Sequence, residues 1–441
     1  MAIVASVAAT LQELLGPVAE RLAERHGLIR RQRQFTATTL LQTFVLGYLH
    51  KPTASAVDLA ATAEALGVRV TPQAVDQRFQ PALRHALNDL WHHAVAKLVH
   101  ATPRTSELLR RFTQVRVGDS TTVTLHESFA KQYPGCGGSG AAPVSAVKIQ
   151  VQWDLRHGGL TQAALEPGRQ PDSASPRLAE PLPRGSLALY DRGYFSLDRF
   201  AHWNRAGVRW ISKGVSKLTL TIDGQTHDLT DWLASQSPDR VDRWVRVGGQ
   251  RFHCRLVAIR VPEAVARERR RKARRKAIKD GRRPTAHHLA ACAWTVYLTN
   301  CPAEQLADYE VEVLYRLRWQ IELVFKLWKS GNRLADHRRE DPERQLIEFF
   351  ARLVAVVVQH WLLLTSGWSD PRLSLVKAAR LIRDRMPLLI EAMGHRNQLR
   401  RALKRLVEAV THRCRVANRR RQPSMAQLLE NPSLLKRPKL T

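Results

Sequence analysis

The spacing of apolar residues changes period partway along this chain, and that change bounds the fold more tightly than any other feature. Up to about residue 105 apolar positions recur at helical intervals, in Leu11–Leu28, Thr39–Leu49, Ala54–Leu66 and Ala82–Leu98. From Gln114 to about Gly214 the pattern turns to strands. Gln114–Val117 is one, Val147–Trp153 alternates cleanly, and Leu160–Leu165 follows across the turn His157-Gly158-Gly159. Ser186–Tyr190 is a short apolar run, followed by a helix at Ser196–Asn204 and a strand at Val208–Ser212. Three antiparallel strands followed by alternating helix and strand predict a mixed α/β sheet.

Between about Lys217 and Asn300 the texture differs. Short strands (Leu218–Ile222, Trp244–Val247, Phe252–Ile259) precede a charged helix, Glu263–Lys279, and a strand at Trp294–Thr299. Beyond Asp370 the chain reads as amphipathic helices with a basic tail, Arg413–Arg421. The expected organisation is a helical N-terminal domain at 1–105, a central α/β domain at 106–370 with a strand-rich stretch at about 217–300, and a helical basic C-terminal region at 371–441.

Charge narrows the partner. Seventy Lys+Arg face 39 Asp+Glu, giving +31 and an isoelectric point near 11.0. Such an excess repels itself unless a polyanion is bound, and nucleic acid is the default. No membrane partner is expected: the most apolar stretch, Leu346–Leu364, is interrupted by Glu348, Arg352, Gln359 and His360 and reads as a buried helix. Met1–Leu15 lacks the basic start of a cleavable leader. Five cysteines without a Cys-x-x-Cys pair argue against a disulfide framework and a zinc site, and suit a reducing cytoplasm.

Within the N-terminal region, Ser55–Gly67 followed by Thr71-Pro72 resembles a helix-turn-helix, with Thr71 as N-cap and Pro72 at the first helical position. Gln73, Asp76 and Gln77 would then face base edges; an ordinary helical hairpin has the same outline.

The chemistry concentrates further on. Tyr315-x2-Arg318-x3-Glu322-x6-Lys329 places four polar groups on one helical stripe about 60° wide at about 100° per residue. A carboxylate flanked by two cations and a phenol can hold a metal ion and clamp phosphate oxygens. Upstream, Asp119 ends a strand in Val117-Gly-Asp-Ser, and Asp191 ends another in Tyr190-Asp-Arg-Gly-Tyr194. Carboxylates at the ends of neighbouring strands, with Glu322 from a helix packed on that sheet, could converge on one point. Three oxygen ligands suit a hard divalent cation.

Taken together, Asp119, Asp191-Arg-Gly-Tyr194 and the Tyr315/Arg318/Glu322/Lys329 stripe resemble the DDE insertion-sequence transposases of the IS-four type, over roughly Gln114–Gly331. The Gly-rich stretch Tyr133–Gly140 is similar to a loop those proteins carry between their first strands, and it lacks the Lys-Ser/Thr ending of a nucleotide-binding loop. The resemblance implies an α/β fold: a ribonuclease-H-like catalytic core with a β-rich insertion, plus helical N-terminal and C-terminal regions. It implies metal-dependent cut-and-paste transposition through a hairpin, with Asp119, Asp191 and Glu322 binding Mg²⁺ (or Mn²⁺). Tyr315, Arg318 and Lys329 would hold the terminal phosphate. The DNA partners would be terminal inverted repeats and target DNA, engaged by a homodimer in the synaptic complex.

Two further features have open readings. Trp294 is either a stacking platform for a base that leaves the helix or a core residue. The run Arg267–Lys276, which includes Arg270, Arg271, Lys272, Arg274 and Arg275, is either a solvated helix or a phosphate-binding one. The alternatives to a transposase are a ribonuclease-H-like nuclease that cuts without joining, and a transposase-derived DNA-binding protein that no longer catalyses.

Overall fold

A computed structural model describes residues 2–29, 34–99, 101–104, 106–139, 142–214, 218–248, 252–336, 341–416 and 423–435. Gly140, Lys217 and residues 417–421 of the expected basic tail lie outside them. The fold is mixed α/β, with a large sheet and helical N- and C-terminal regions. The chain divides into two compact units: Met1–Ser106, Asp119–Arg177 and Trp319–Asn418 form the first, and Glu107–Gly118, Leu178–Arg318 and Arg419–Thr441 the second. Helices and strands are numbered in chain order.

The first unit contains α1 (Ala2–Glu13), α2 (Ala19–Arg25), α3 (Ala37–His50), α4 (Ala56–Ala65), α5 (Pro72–Asp76) and α6 (Pro81–Ala96). Residues far along the chain join them: α13 (Trp319–Lys326), α14 (Pro342–Thr365), α15 (Leu375–Glu391) and α16 (Arg396–Arg413). Starts are set by side chains. Thr36 and Ser55 close capping boxes on Thr39 and Asp58, and Asp341 caps α14 ahead of Pro342. Every residue of α14 from Gln345 to Thr365 is buried, against α3 and α6 among others. Burial calls for pairing of polar groups, and Arg352 pairs with Glu348 (2.8 Å), Gln359 with Asn332 (2.7 Å), and His360 with the Gly158 carbonyl (2.6 Å).

By length and composition both Ala2–Arg25 and Pro342–Thr365 are apolar enough to cross a bilayer; the second is wholly buried inside the protein. The sequence reading passes over the first of these. It is a broken helix, interrupted at Gly16-Pro17 by a wide turn spanning Leu14–Val18.

The strands of the first unit are β2 (Pro134–Ser139), β3 (Ala142–Asp154) and β4 (Leu160–Pro167), with most of β1 (Val115–Leu125). β3 pairs antiparallel with β2 and with β4. The β3–β4 hairpin turns at Gly158 (φ +78°), where a Cβ would fall 2.4 Å from Leu364 and 2.7 Å from Trp368. Tyr133–Gly140, expected as a loop, is largely strand β2. Glycines carry no apolar alternation for a pattern to detect.

The second unit holds α7 (Glu107–Arg110), β5 (Leu187–Tyr190), α8 (Leu197–Arg205), β6 (Arg209–Lys213), β7 (Thr219–Ile222), β8 (Gln225–Asp228) and α9 (Leu229–Ala234). β9 (Arg240–Val247), β10 (Phe252–Arg260), α10 (Glu263–Lys279), α11 (Ala286–Ala291), β11 (Trp294–Thr299), α12 (Asp308–Leu317) and α17 (Met425–Glu430) complete it. From the first residues of β1 the strand order is β1-β5-β6-β11-β10-β9-β7-β8. β1-β5 and β5-β6 are parallel, and the pairings from β6-β11 outward are antiparallel. An aromatic core of Tyr190, Phe200, Trp203, Trp210 and Phe252 supports this sheet, with Phe200 stacked on Trp210 at 4.1 Å.

Candidate active site

In the second unit the parallel strands β1 and β5 are in register up to the residues that precede Asp119 and Asp191 in the sequence. Gly118 of β1 pairs with Tyr190 of β5, and the next residues are Asp119 and Asp191. Gly118 is required there: a Cβ would lie 2.1 Å from the Tyr190 ring. Asp191 leaves β5 at its end, as the apolar run predicts. Asp119 does not end its strand; β1 continues to Leu125, because Thr121, Val123 and Leu125 keep an alternating buried face after the polar interruption. In the first unit the Ser120 N–H donates to Asp119 Oδ1 at 2.8 Å.

In the second unit Asp191 gathers a set of partners. The Tyr315 hydroxyl donates to Asp191 Oδ1 at 3.3 Å; burial and the Asp191 charge both push that phenol well above its usual pKa. The Arg318 guanidinium lies 5.9 Å from the Tyr315 ring centre, and Tyr297 packs on the same ring at 5.1 Å. Tyr315 of the signature is therefore in contact with the second aspartate.

The four signature residues do not ride one helix. α12 begins at Asp308 and stops at Leu317. α13 starts at Trp319 and carries the partly buried Glu322, and Lys329 sits in a wide π-type turn over Leu327–Gly331. The wide turn adds a residue per revolution, so the 100° spacing does not extend to Lys329. Burial lowers the Lys329 pKa.

Lys213 is a residue the sequence reading missed. Tyr190 pairs with Ser212, so Lys213, the last residue of β6, stands one step past that pair, as Asp191 does just beyond the end of β5. Its pKa is lowered, first by burial and then by Arg269, while Asp191 pulls it back up. Only a strand register reveals this neighbour; no local pattern marks it.

Trp294 is 6% exposed and belongs to the aromatic core, yet it also lines a cavity of about 80 Å³ with Arg192, Lys213, Leu229, Leu233 and Val296. The Arg260 guanidinium lies 4.4 Å from the Trp294 ring centre, and Arg269 donates to the Trp294 carbonyl and to Thr295. α10 buries only Ala266. Arg270 is spoken for, donating to Glu263 and the Leu289 carbonyl; Arg271 and Lys272 share Glu268; Arg274 and Arg275 are exposed.

In the N-terminal pair, α5 is five residues long and Asp76 accepts from Arg344 of α14, so Asp76 is occupied by a structural ion pair. Gln73 and Gln77 are exposed. One group with metal-ligand geometry occurs among the described residues: Asp228, Asp231 and His287, with ligand atoms within 4.8 Å of one another. Asp228 there caps α9 and pairs with His287 at 2.6 Å, which accounts for the cluster structurally.

With this geometry in view, comparison with known proteins is decisive. The sequence profile of the Transposase DDE domain matches residues 110–358, more than half of the chain. The chain belongs to the DDE transposase family. It is similar to the transposase for insertion sequence element IS231B of Bacillus thuringiensis subsp. berliner, at 25% identity over 91% of this chain and 89% of the relative. It is also similar to that for IS231E of Bacillus thuringiensis subsp. finitimus, at 24% over 97% and 96%. The transposase for IS1151 of Clostridium perfringens matches at 25% over 78% of each chain. As a DDE transposase the protein is an enzyme acting on DNA, and its domain implies a divalent metal ion. The donor types fit one: Asp119, Asp191 and Glu322 are hard oxygen donors, all inside the matched span.

Proposed function

We propose that the protein performs cut-and-paste transposition of an insertion sequence, with Asp119, Asp191 and Glu322 as its catalytic carboxylates. The observation that carries this reading is the hydrogen bond from Tyr315, the first residue of the signature, to Asp191 inside a matched DDE domain. The three carboxylates would hold Mg²⁺, with Mn²⁺ able to substitute; bound ions supply Lewis acidity to the attacked phosphate and its leaving oxygen. Tyr315, Arg318 and Lys329 hold the terminal phosphate through charge-assisted hydrogen bonds. The first cut frees a 3′-hydroxyl, which attacks the opposite strand to form a hairpin; after reopening, the same hydroxyl joins target DNA. Trp294 receives a base expelled at the bent end, its cavity wall carrying Arg192 and Lys213 for the adjoining phosphates. Arg270, Arg271, Lys272, Arg274 and Arg275 contact the DNA backbone, which positions DNA without reading its sequence.

The wider frame is a ribonuclease-H-like core at 106–370 with the insertion at 217–300, flanked by an N-terminal DNA-binding domain at 1–105 and the C-terminal region at 371–441. Two copies synapse the transposon ends in a bacterial cytoplasm.

A strand-transfer assay on a labelled end decides between this and its rivals. Joined product supports the proposal, cut product alone leaves a nuclease, and a gel shift without chemistry leaves a DNA-binding protein. Glu322→Ala should abolish cleavage while end binding persists; loss of binding instead would make Glu322 structural.

A further inference from the structure

Three donors converge on a single oxygen of Asp172. Ser120 Oγ donates to Asp172 Oδ1 at 2.7 Å, Lys148 Nζ at 2.9 Å and Gln150 Nε2 at 3.2 Å. Lys148 and Gln150 are two apart on β3 and so share one of its faces. They are 8% and 5% exposed. A buried ammonium requires a counter-charge, and neutralising Lys148 would by itself account for a carboxylate at 172. It does not account for Ser120. That residue follows Asp119, and it works at both ends: its hydroxyl is held by Asp172 while its N–H donates to Asp119 Oδ1 at 2.8 Å. The carboxylate of Asp119 is thus oriented by a peptide whose own side chain is pinned.

We propose that Asp172, anchored by Lys148 and Gln150, is a positioning residue that fixes the Asp119 carboxylate through Ser120 for divalent-cation binding. The proposal rests on Asp119 being a metal-binding carboxylate. Side chains alternate along a strand, so Ser120 and Asp119 project to opposite sides of β1. Asp172 therefore acts from behind, on the orientation of the ligand. Partners of this kind change metal affinity by about 10–100-fold when removed.

The test uses the full chain, titrated with Mn²⁺ alone and followed by electron paramagnetic resonance, alongside thermal melting. Asp172→Asn and Ser120→Ala should each weaken Mn²⁺ binding by about tenfold, and Ser120→Thr, which keeps the hydroxyl, should restore it to within about twofold of the parent. Ser120→Ala leaves the Lys148–Asp172 pair intact, so it remains informative if Asp172→Asn fails to fold. An unchanged Mn²⁺ affinity in Ser120→Ala would reduce Asp172 to a counterion for Lys148 and overturn the proposal. Asp119→Asn is the separate control: it should lose Mn²⁺ at that site, and if it binds as the parent does, the reading of Asp119 itself falls.

Discussion

At the scale of single residues, the groups around Asp191 differ in what each can contribute. The Tyr315 hydroxyl bond is neutral-to-charged and long at 3.3 Å, so its loss should be modest. Tyr315→Phe is expected to slow end cleavage about 5–10-fold, corresponding to roughly 1 kcal/mol; a fall as severe as that of Glu322→Ala would show that the phenol does chemistry of its own. Lys213 makes a different prediction. Burial and the neighbouring guanidinium of Arg269 lower its pKa, so its ammonium is lost at a lower pH than an ordinary lysine's. If that charge meets a phosphate, activity declines on the alkaline side, and Lys213→Arg should carry the decline to higher pH because a guanidinium stays charged. A pH–rate profile identical in the two proteins would remove Lys213 from DNA contact.

At the scale of elements, α10 separates binding from chemistry. Arg271, Lys272, Arg274 and Arg275 face solvent on a helix that buries a single alanine, and each phosphate neutralised adds about 0.9 to the salt slope of binding. Replacing Arg271, Lys272, Arg274 and Arg275 together with Gln should lower that slope by up to about 3.6 while preserving cleavage at low salt. A slope that does not move would assign α10 to solvent. Elements also show what a sequence discloses. Val147–Trp153 alternates strongly, Phe252–Ile259 is a β-rich apolar run, and both are strands; Glu263–Lys279 is a helix to the residue. By contrast β2 is glycine-rich, β8 has four residues and no apolar face, and α9 and α11 have six residues each, too few to establish a period. As candidates, the acidic residues and the signature were legible from residue type, although the spacing did not foresee the break after Leu317. Lys213 and Asp172 were not, since one depends on strand register and the other on hydrogen bonds from residues 52, 24 and 22 positions away.

For the whole molecule, stability has a proton dependence written into its most buried helix. His360 is enclosed by Trp153, Trp368 and the Gly158 carbonyl, and burial lowers its pKa to about 4. The unfolded chain takes up that proton near pH 6.5 and the folded one only near 4, so stability falls as pH drops through this window. The loss should be on the order of 2–3 kcal/mol. Urea midpoints at pH 7 and pH 4.5 should diverge more in the parent than in His360→Gln; equal divergence would place the acid sensitivity elsewhere. The charge excess of the chain has a consequence of another kind. On α10, Arg267 and Arg271, Arg271 and Arg275, and Arg275 and Lys279 stand one turn apart with like charge, relieved only by Glu263 and Glu268. A helix so self-repelling opens readily and offers a protease that cuts after basic residues its easiest target. Brief trypsin treatment should therefore nick the free protein between residues 267 and 279 first, and a bound duplex should shield that segment, giving a footprint of DNA on the protein itself.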